Sequence, residues 1–151
     1  MGSSVPTPSH SVRSVDSDAN HNITITDLKS LADFRRSLRR FLAFSEDACA
    51  LHGMTMQWYQ ALLAIKAYDK ANQISIGQLA EELMIKNHSA AELVSRLENA
   101  GLVLRKPDNE DKRRSLIVIT NIGNRKISKL AAIHLNRLRS EKDAFLNILQ
   151  K

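Results

Sequence analysis

From residue 27 onward the chain repeats in steps of three and four. Leu31, Phe34, Leu38, Phe41, Ser45 and Ala48 fall on one face, while Arg35, Arg36, Arg39 and Arg40 crowd elsewhere. This spacing predicts a long amphipathic helix that opens at Asp27 and ends near His52 and Gly53. Thr55 suits the N-cap of a second helix to about Tyr68, with Trp58, Leu62 and Ile65 as its inward stripe, widened by Tyr59 and Leu63. Ser75-Ile76-Gly77-Gln78 has the S-x-x-Q form of a capping box, in which serine and glutamine side chains satisfy reciprocal backbone donors. A short helix through Leu79, Leu83 and Met84 is expected to follow. Asn87 is the candidate cap of another helix, whose Ala90, Leu93, Val94 and Leu97 share a face and which ends at Ala100 before Gly101.

Beyond Gly101 the period becomes extended. Leu102 to Lys106 and Ser115 to Ile119 bracket the polar stretch Pro107 to Arg114, predicting a β-hairpin with a charged tip. Thr120 then suits the cap of a last helical region carrying Ile127, Leu130, His134 and Leu138 on one face, with Phe145, Ile148 and Leu149 near its end. The pattern leaves open whether that region breaks near Ser140. Residues 1–26 are dominated by Ser, Thr, Asp, Asn and Pro without periodicity and are expected to form a flexible tail, to which no function is assigned. The expected fold class is therefore mainly α with a small β-hairpin: helix, tight turn, helix, hairpin is the order of a winged helix-turn-helix.

Composition agrees with one helical domain. Of 151 residues 43% are hydrophobic and only 5% aromatic, with 5 glycines and 3 prolines. Twenty-two Lys and Arg against 16 Asp and Glu give a net charge of +6, which suits a polyanion such as nucleic acid. The single cysteine, Cys49, excludes an internal disulfide and fits a reducing compartment. No apolar run approaches a membrane span, so the expectation is a cytoplasmic protein without a membrane partner. No nucleophile with a base, paired carboxylates or phosphate-cradling loop stands at informative spacing, and Cys49 with His52 is too weak a pair to carry an enzyme. His52, His88 and His134 are dispersed, so neither metal nor cofactor is expected.

The chemistry worth following lies on the helix after Asn87 and on the hairpin. Lys86, Asn87, His88, Ser89, Glu92, Ser95, Arg96 and Asn99 fall on the polar face of that helix, mostly donors suited to phosphates and base edges. Ser75 to Leu83, His88 to Leu102, the wing Asp108-Asn109-Glu110-Asp111-Lys112-Arg113-Arg114-Ser115-Leu116 and the run Ile119-Thr120-Asn121-Ile122-Gly123 together resemble the helix-turn-helix and D-x-x-D-x-R wing of MarR-family regulators. Glu92 stands where some members hold a base-reading arginine. The resemblance implies a homodimer in which 27–52 and 121–151 are dimerisation helices and 55–120 a DNA-binding lobe.

The resemblance also implies roles for single residues. Arg113 is expected to reach the minor groove from the wing tip, oriented by a charge-assisted hydrogen bond that Asp111 accepts, with Lys112 and Arg114 beside it as DNA contacts. His52, Met54, Trp58 and Tyr59 fall where the family places an effector cleft, although Trp58 reads first as core. Cys49 reads first as a small buried hydrophobe and second as a redox sensor. The expected function is sequence-specific binding of double-stranded DNA at a pseudo-palindromic site, by a repressor relieved by a small-molecule or oxidant effector. The alternatives are a winged-helix module for protein contact or nonspecific DNA architecture, and a thiol enzyme built around Cys49.

Overall fold

The computed structural model of the chain describes residues 22–68 and 73–150. The predicted tail lies outside the described residues as far as 21. Its last two positions are helical, because α1 (Ile25–Leu51) starts earlier than Asp27. Thr24 is the N-cap: its hydroxyl accepts the Asp27 N–H at 3.2 Å, and the Asp27 carboxylate accepts the Thr24 N–H at 2.8 Å. The Thr24 hydroxyl also donates to Asp27 Oδ2 at 2.7 Å, and that bond first, then the Thr24 N–H, hold the Asp27 carboxyl below its ordinary range.

The chain reverses at Gly53, whose φ of +67° a residue with a Cβ would resist. It then enters α2 (Met56–Ala67) behind the Thr55 cap. Strand β1 (Gln73–Ser75) leads directly into α3 (Ile76–Leu83), with the Ser75/Gln78 capping box in place. After α4 (Asn87–Asn99), β2 (Val103–Pro107) and β3 (Ser115–Ile119) make the hairpin. α5 (Asn121–Ser140), capped by Thr120, is followed by α6 (Lys142–Leu149), so the last helical region does break after Ser140. The hairpin is not alone: β3 is the middle of a three-stranded antiparallel sheet of order β1-β3-β2, with Ile74 opposite Ile117.

The core joins α2, α3, α4, the sheet and the first half of α5 through Leu62, Ile65, Ile74, Leu79, Val94, Leu97, Val103, Ile117, Ile127 and Leu130, all nearly inaccessible. Three sequence expectations need correction. On α2, Leu62 and Ile65 are buried with Tyr59 as expected, but Trp58 is only half-buried and Leu63 is exposed, Ala61 taking a core position instead. The short helix expected through Met84 ends at Leu83, and Met84 caps it in the left-handed region at φ 52°, with most of its surface in solvent. That turn places the start of α4 one residue early: Lys86 is the N-cap, no side chain caps it, and Asn87 is the first helical residue.

α1 is buried only at its end, by Ser45, Ala48 and Cys49. Leu28, Leu31, Phe34, Leu38 and Leu42 run along it in solvent, joined by Leu135 and Leu138 of α5. Within the chain α1 is met by α6, where Phe34 and Phe145 pack edge to face. Among the described residues no helix is long and apolar enough to cross a membrane, and no group of three or more His, Cys, Asp or Glu side chains is placed to hold a metal ion.

Candidate nucleic-acid interface

Helix α4 has two faces. Ala90, Leu93, Val94 and Leu97 are buried, which turns Lys86, Asn87, His88, Glu92, Arg96 and Asn99 outward, with Ser89 and Ser95 half-exposed. With no side-chain cap, the first internal bond is that of the Ala90 N–H to the Lys86 carbonyl, so the N–H groups of Asn87, His88 and Ser89 point out of the helix end. Such an end favours an anion through both its free donors and the helix dipole.

Two of the expected contacts are held within the fold. The Ser95 hydroxyl donates to the Ala91 carbonyl at 3.0 Å and accepts from Arg105 Nη2 at 2.9 Å. Arg105 of β2 also faces Glu98, whose carboxylate accepts its main-chain N–H at 3.4 Å and lies 3.8 Å from its Nε. Arg105 thus ties the recognition-type helix to the hairpin, a role that its place on the open face of a short strand does not announce.

Arg114 is the second. Its Nε and Nη2 donate to Asp108 Oδ2 at 3.1 and 2.9 Å. Asp108 is 5% exposed, and its Oδ1 accepts the Glu110 N–H at 3.0 Å. The Glu110 amide first, then the Arg114 guanidinium, keep its carboxyl below the usual carboxylate range against the opposing effect of burial. Asp111 acts on Arg113 through the main chain, not the guanidinium: its Oδ1 accepts the Arg113 N–H at 3.0 Å. The side chains of Lys112 and Arg113 are exposed at the tip, with no hydrogen bond or ion pair to another described residue.

The four residues expected at an effector cleft have different surroundings. His52 Nδ1 donates to the Ala48 carbonyl at 2.9 Å, Met54 is core, and Trp58 packs half-buried against it. Only Tyr59 lines a cavity of about 410 Å³ between α1, α2 and α5, together with Phe41, Leu42, Leu63, Leu138 and the buried pair Ser45 and His134. Leu130 O can only accept, so His134 Nδ1 donates to it at 2.7 Å, and Nε2 pairs with the Ser45 hydroxyl at 2.8 Å. Tyr59 stacks on that imidazole at 4.3 Å. Cys49 is fully buried, and burial pushes its thiol up despite the opposing Ser45 hydroxyl, the reverse of what an accessible thiolate sensor needs.

Fold and surface define a winged helix-turn-helix with an exposed second helix and a basic wing. A sequence model of the MarR family matches residues 52–114. BadR, a transcriptional activatory protein of Rhodopseudomonas palustris, is 34% identical over 76 residues, which are 50% of this chain and 43% of that protein; the match thus spans under half the length of that relative. AbsC, a MarR-family regulator of Streptomyces coelicolor, shares the fold with a TM-score of 0.68 at 23% identity over 85% of this chain and 84% of its own. A mutant of S. aureus MepR bound to an oligodeoxyribonucleotide shares it with a TM-score of 0.62 at 18% identity, covering 73% of this chain and 79% of that one. Residues 52–114 thus match the MarR family's sequence model, and the fold that carries them is the fold of solved regulators such as AbsC.

Proposed function

We propose that the chain is a homodimeric regulator of transcription that binds a pseudo-palindromic duplex sequence, with α4 in the major groove and Arg113 in the minor groove. The observation that carries this reading is the α4 face: a helix whose apolar stripe is spent on the core presents uncapped N–H groups and Lys86, Asn87, His88, Ser89, Glu92, Arg96 and Asn99 beside the exposed Lys112 and Arg113. A MepR mutant of this fold is bound to an oligodeoxyribonucleotide, which supports DNA as the partner. The apolar residues left in solvent on α1 and α5 support pairing of two chains through 27–52 and 121–151.

Regulation is read as repression by occupancy of the site, relieved by a small molecule that enters the cavity beside Tyr59 and His134. The activatory relative marks the other direction, which the position of the site relative to a promoter decides. An oxidant effector is disfavoured by the burial of Cys49. Selection of bound duplexes from a random pool tests the reading. Enrichment of an inverted repeat whose half-site centres lie about 10 bp apart is expected; recovery of unenriched DNA at equal affinity would replace it with nonspecific architecture.

A further inference from the structure

We propose that Asp108 is a positioning residue of the wing and that Arg114 serves as its clamp and not as a ligand of DNA phosphate. The inference deepens the DNA-binding reading and rests on it. Both oxygens of one nearly buried carboxylate are used, Oδ1 by the Glu110 main chain and Oδ2 by two nitrogens of Arg114. The same two residues are joined a second time through their backbones, the Asp108 N–H donating to the Arg114 carbonyl at 3.1 Å. That bond lies immediately beyond the last ladder pair, Pro107 with Ser115. Inside this base the Arg114 N–H donates to the Asp111 carbonyl and the Asp111 carboxylate accepts the Arg113 N–H, each at 3.0 Å.

The tip between Asp108 and Arg114 is therefore closed by side-chain and main-chain bonds at its root, and Lys112 and Arg113 project from a root that cannot splay. Binding DNA through a preorganised tip avoids the ordering cost that a free loop pays at association. The planar guanidinium converges two N–H donors, Nε and Nη2, on the one oxygen Oδ2, which an ammonium cannot reproduce, so lysine at 114 keeps the charge but loses the clamp. A purely electrostatic wing makes the opposite demands. It gains from losing the Asp108 charge, treats Arg114 as one more cation, and tolerates lysine there.

The test uses the full chain and a duplex selected from the random pool, with affinity followed against salt. Asp108→Ala, Arg114→Ala and Arg114→Lys are each expected to weaken binding about ten-fold. The clamp predicts an unchanged salt slope for the Arg114 variants, whereas Arg113→Ala lowers it by about one. The double variant Asp108→Ala with Arg114→Ala should bind no worse than either single one, since both break the same contact. Tighter binding by Asp108→Ala, or parent affinity in Arg114→Lys with a slope lowered by about one in Arg114→Ala, would overturn the proposal. Hydrogen exchange of the Glu110 and Arg113 amides separates the clamp from the DNA reading. Protection lost in both Asp108→Ala and Arg114→Lys supports the clamp even if no duplex is selected, and exchange equal to the parent's refutes it.

Discussion

Two glycines in first helical turns are expected to respond to alanine with opposite signs. Gly77 is the second residue of α3 and Gly123 the third of α5, and both have helical backbones. Propensity alone says that alanine stabilises each, by about 0.4–1 kcal/mol, because glycine loses more freedom on folding. At Gly77 nothing opposes this, since a new Cβ would meet only Ser75 Oγ at 4.0 Å. At Gly123 the new Cβ would collide with the Leu102 carbonyl oxygen and stand 2.8 Å from Ile119 Cγ1 and 3.1 Å from the Leu102 carbonyl carbon. That carbonyl cannot yield cheaply: it accepts the Thr120 N–H at 3.0 Å, while the Thr120 hydroxyl grips the neighbouring Gly101 carbonyl at 2.7 Å. Overpacking costs about 1–3 kcal/mol and lies at the upper end when backbone must move, so a net loss of roughly 2 kcal/mol is expected. For a chain of this length that lowers Tm by about 4–8 °C, whereas Gly77→Ala raises it by about 1–3 °C. Thermal unfolding at one protein concentration reads both, the concentration being fixed because a dimer's Tm depends on it. Gly123→Ala melting at or above the parent would show that α5 does not approach Leu102 as closely as described.

Two further outcomes follow from exposed and buried groups. Leu38→Glu places a charge in the middle of the apolar stripe left in solvent on α1, so sedimentation should show a monomer at micromolar concentration with intact helicity; an unchanged dimer would place the interface elsewhere. Cys49, buried and with its thiol pKa raised by that burial, should react with iodoacetamide at neutral pH much more slowly in the folded chain than in urea, and rapid labelling of the native protein would reinstate it as a sensor candidate.

What the sequence made legible divides along physical lines. Caps are local, so Thr55, Ser75 with Gln78 and Thr120 announced their helices, and the spacing of Ala90, Leu93, Val94 and Leu97 identified the buried side of α4 and hence the outward residues. β1 escaped because three residues with one buried apolar side chain carry no alternation, and its partner strand lies more than 40 residues on. A single step of about 100° around a helix separates Trp58 from Tyr59, so a two-turn stripe cannot decide which enters the core. Met84 occupies a left-handed position that usually takes glycine or asparagine, so nothing at that residue signalled the early start of α4. The pairings that matter most escape a residue-by-residue reading: Ser45 with His134 is separated by 89 residues, and Arg105 with Ser95 and Asp108 with Arg114 each join charged or polar groups that look solvated when read one at a time.

Those pairings also indicate how the proposed effector cavity would reach DNA. α5 runs through 20 residues, about 30 Å of helix. Its second half lines the cavity through Ala131, His134, Leu135 and Leu138. Its first turn is fastened to the end of α4 by Thr120 on Gly101 and by the close seat of Gly123 on Leu102. Between these ends Lys126 Nζ donates to the His52 carbonyl at 3.2 Å, at the corner joining α1 to α2. On the proposed reading, a change in the tilt of α5 at the cavity would displace the base of α4 and with it the half-site spacing. The displacement costs free energy that only a difference in binding can supply. A molecule that fills the cavity equally well in both tilts therefore leaves DNA affinity unchanged, however tightly it binds, and one that must part Tyr59 from His134 to enter does not.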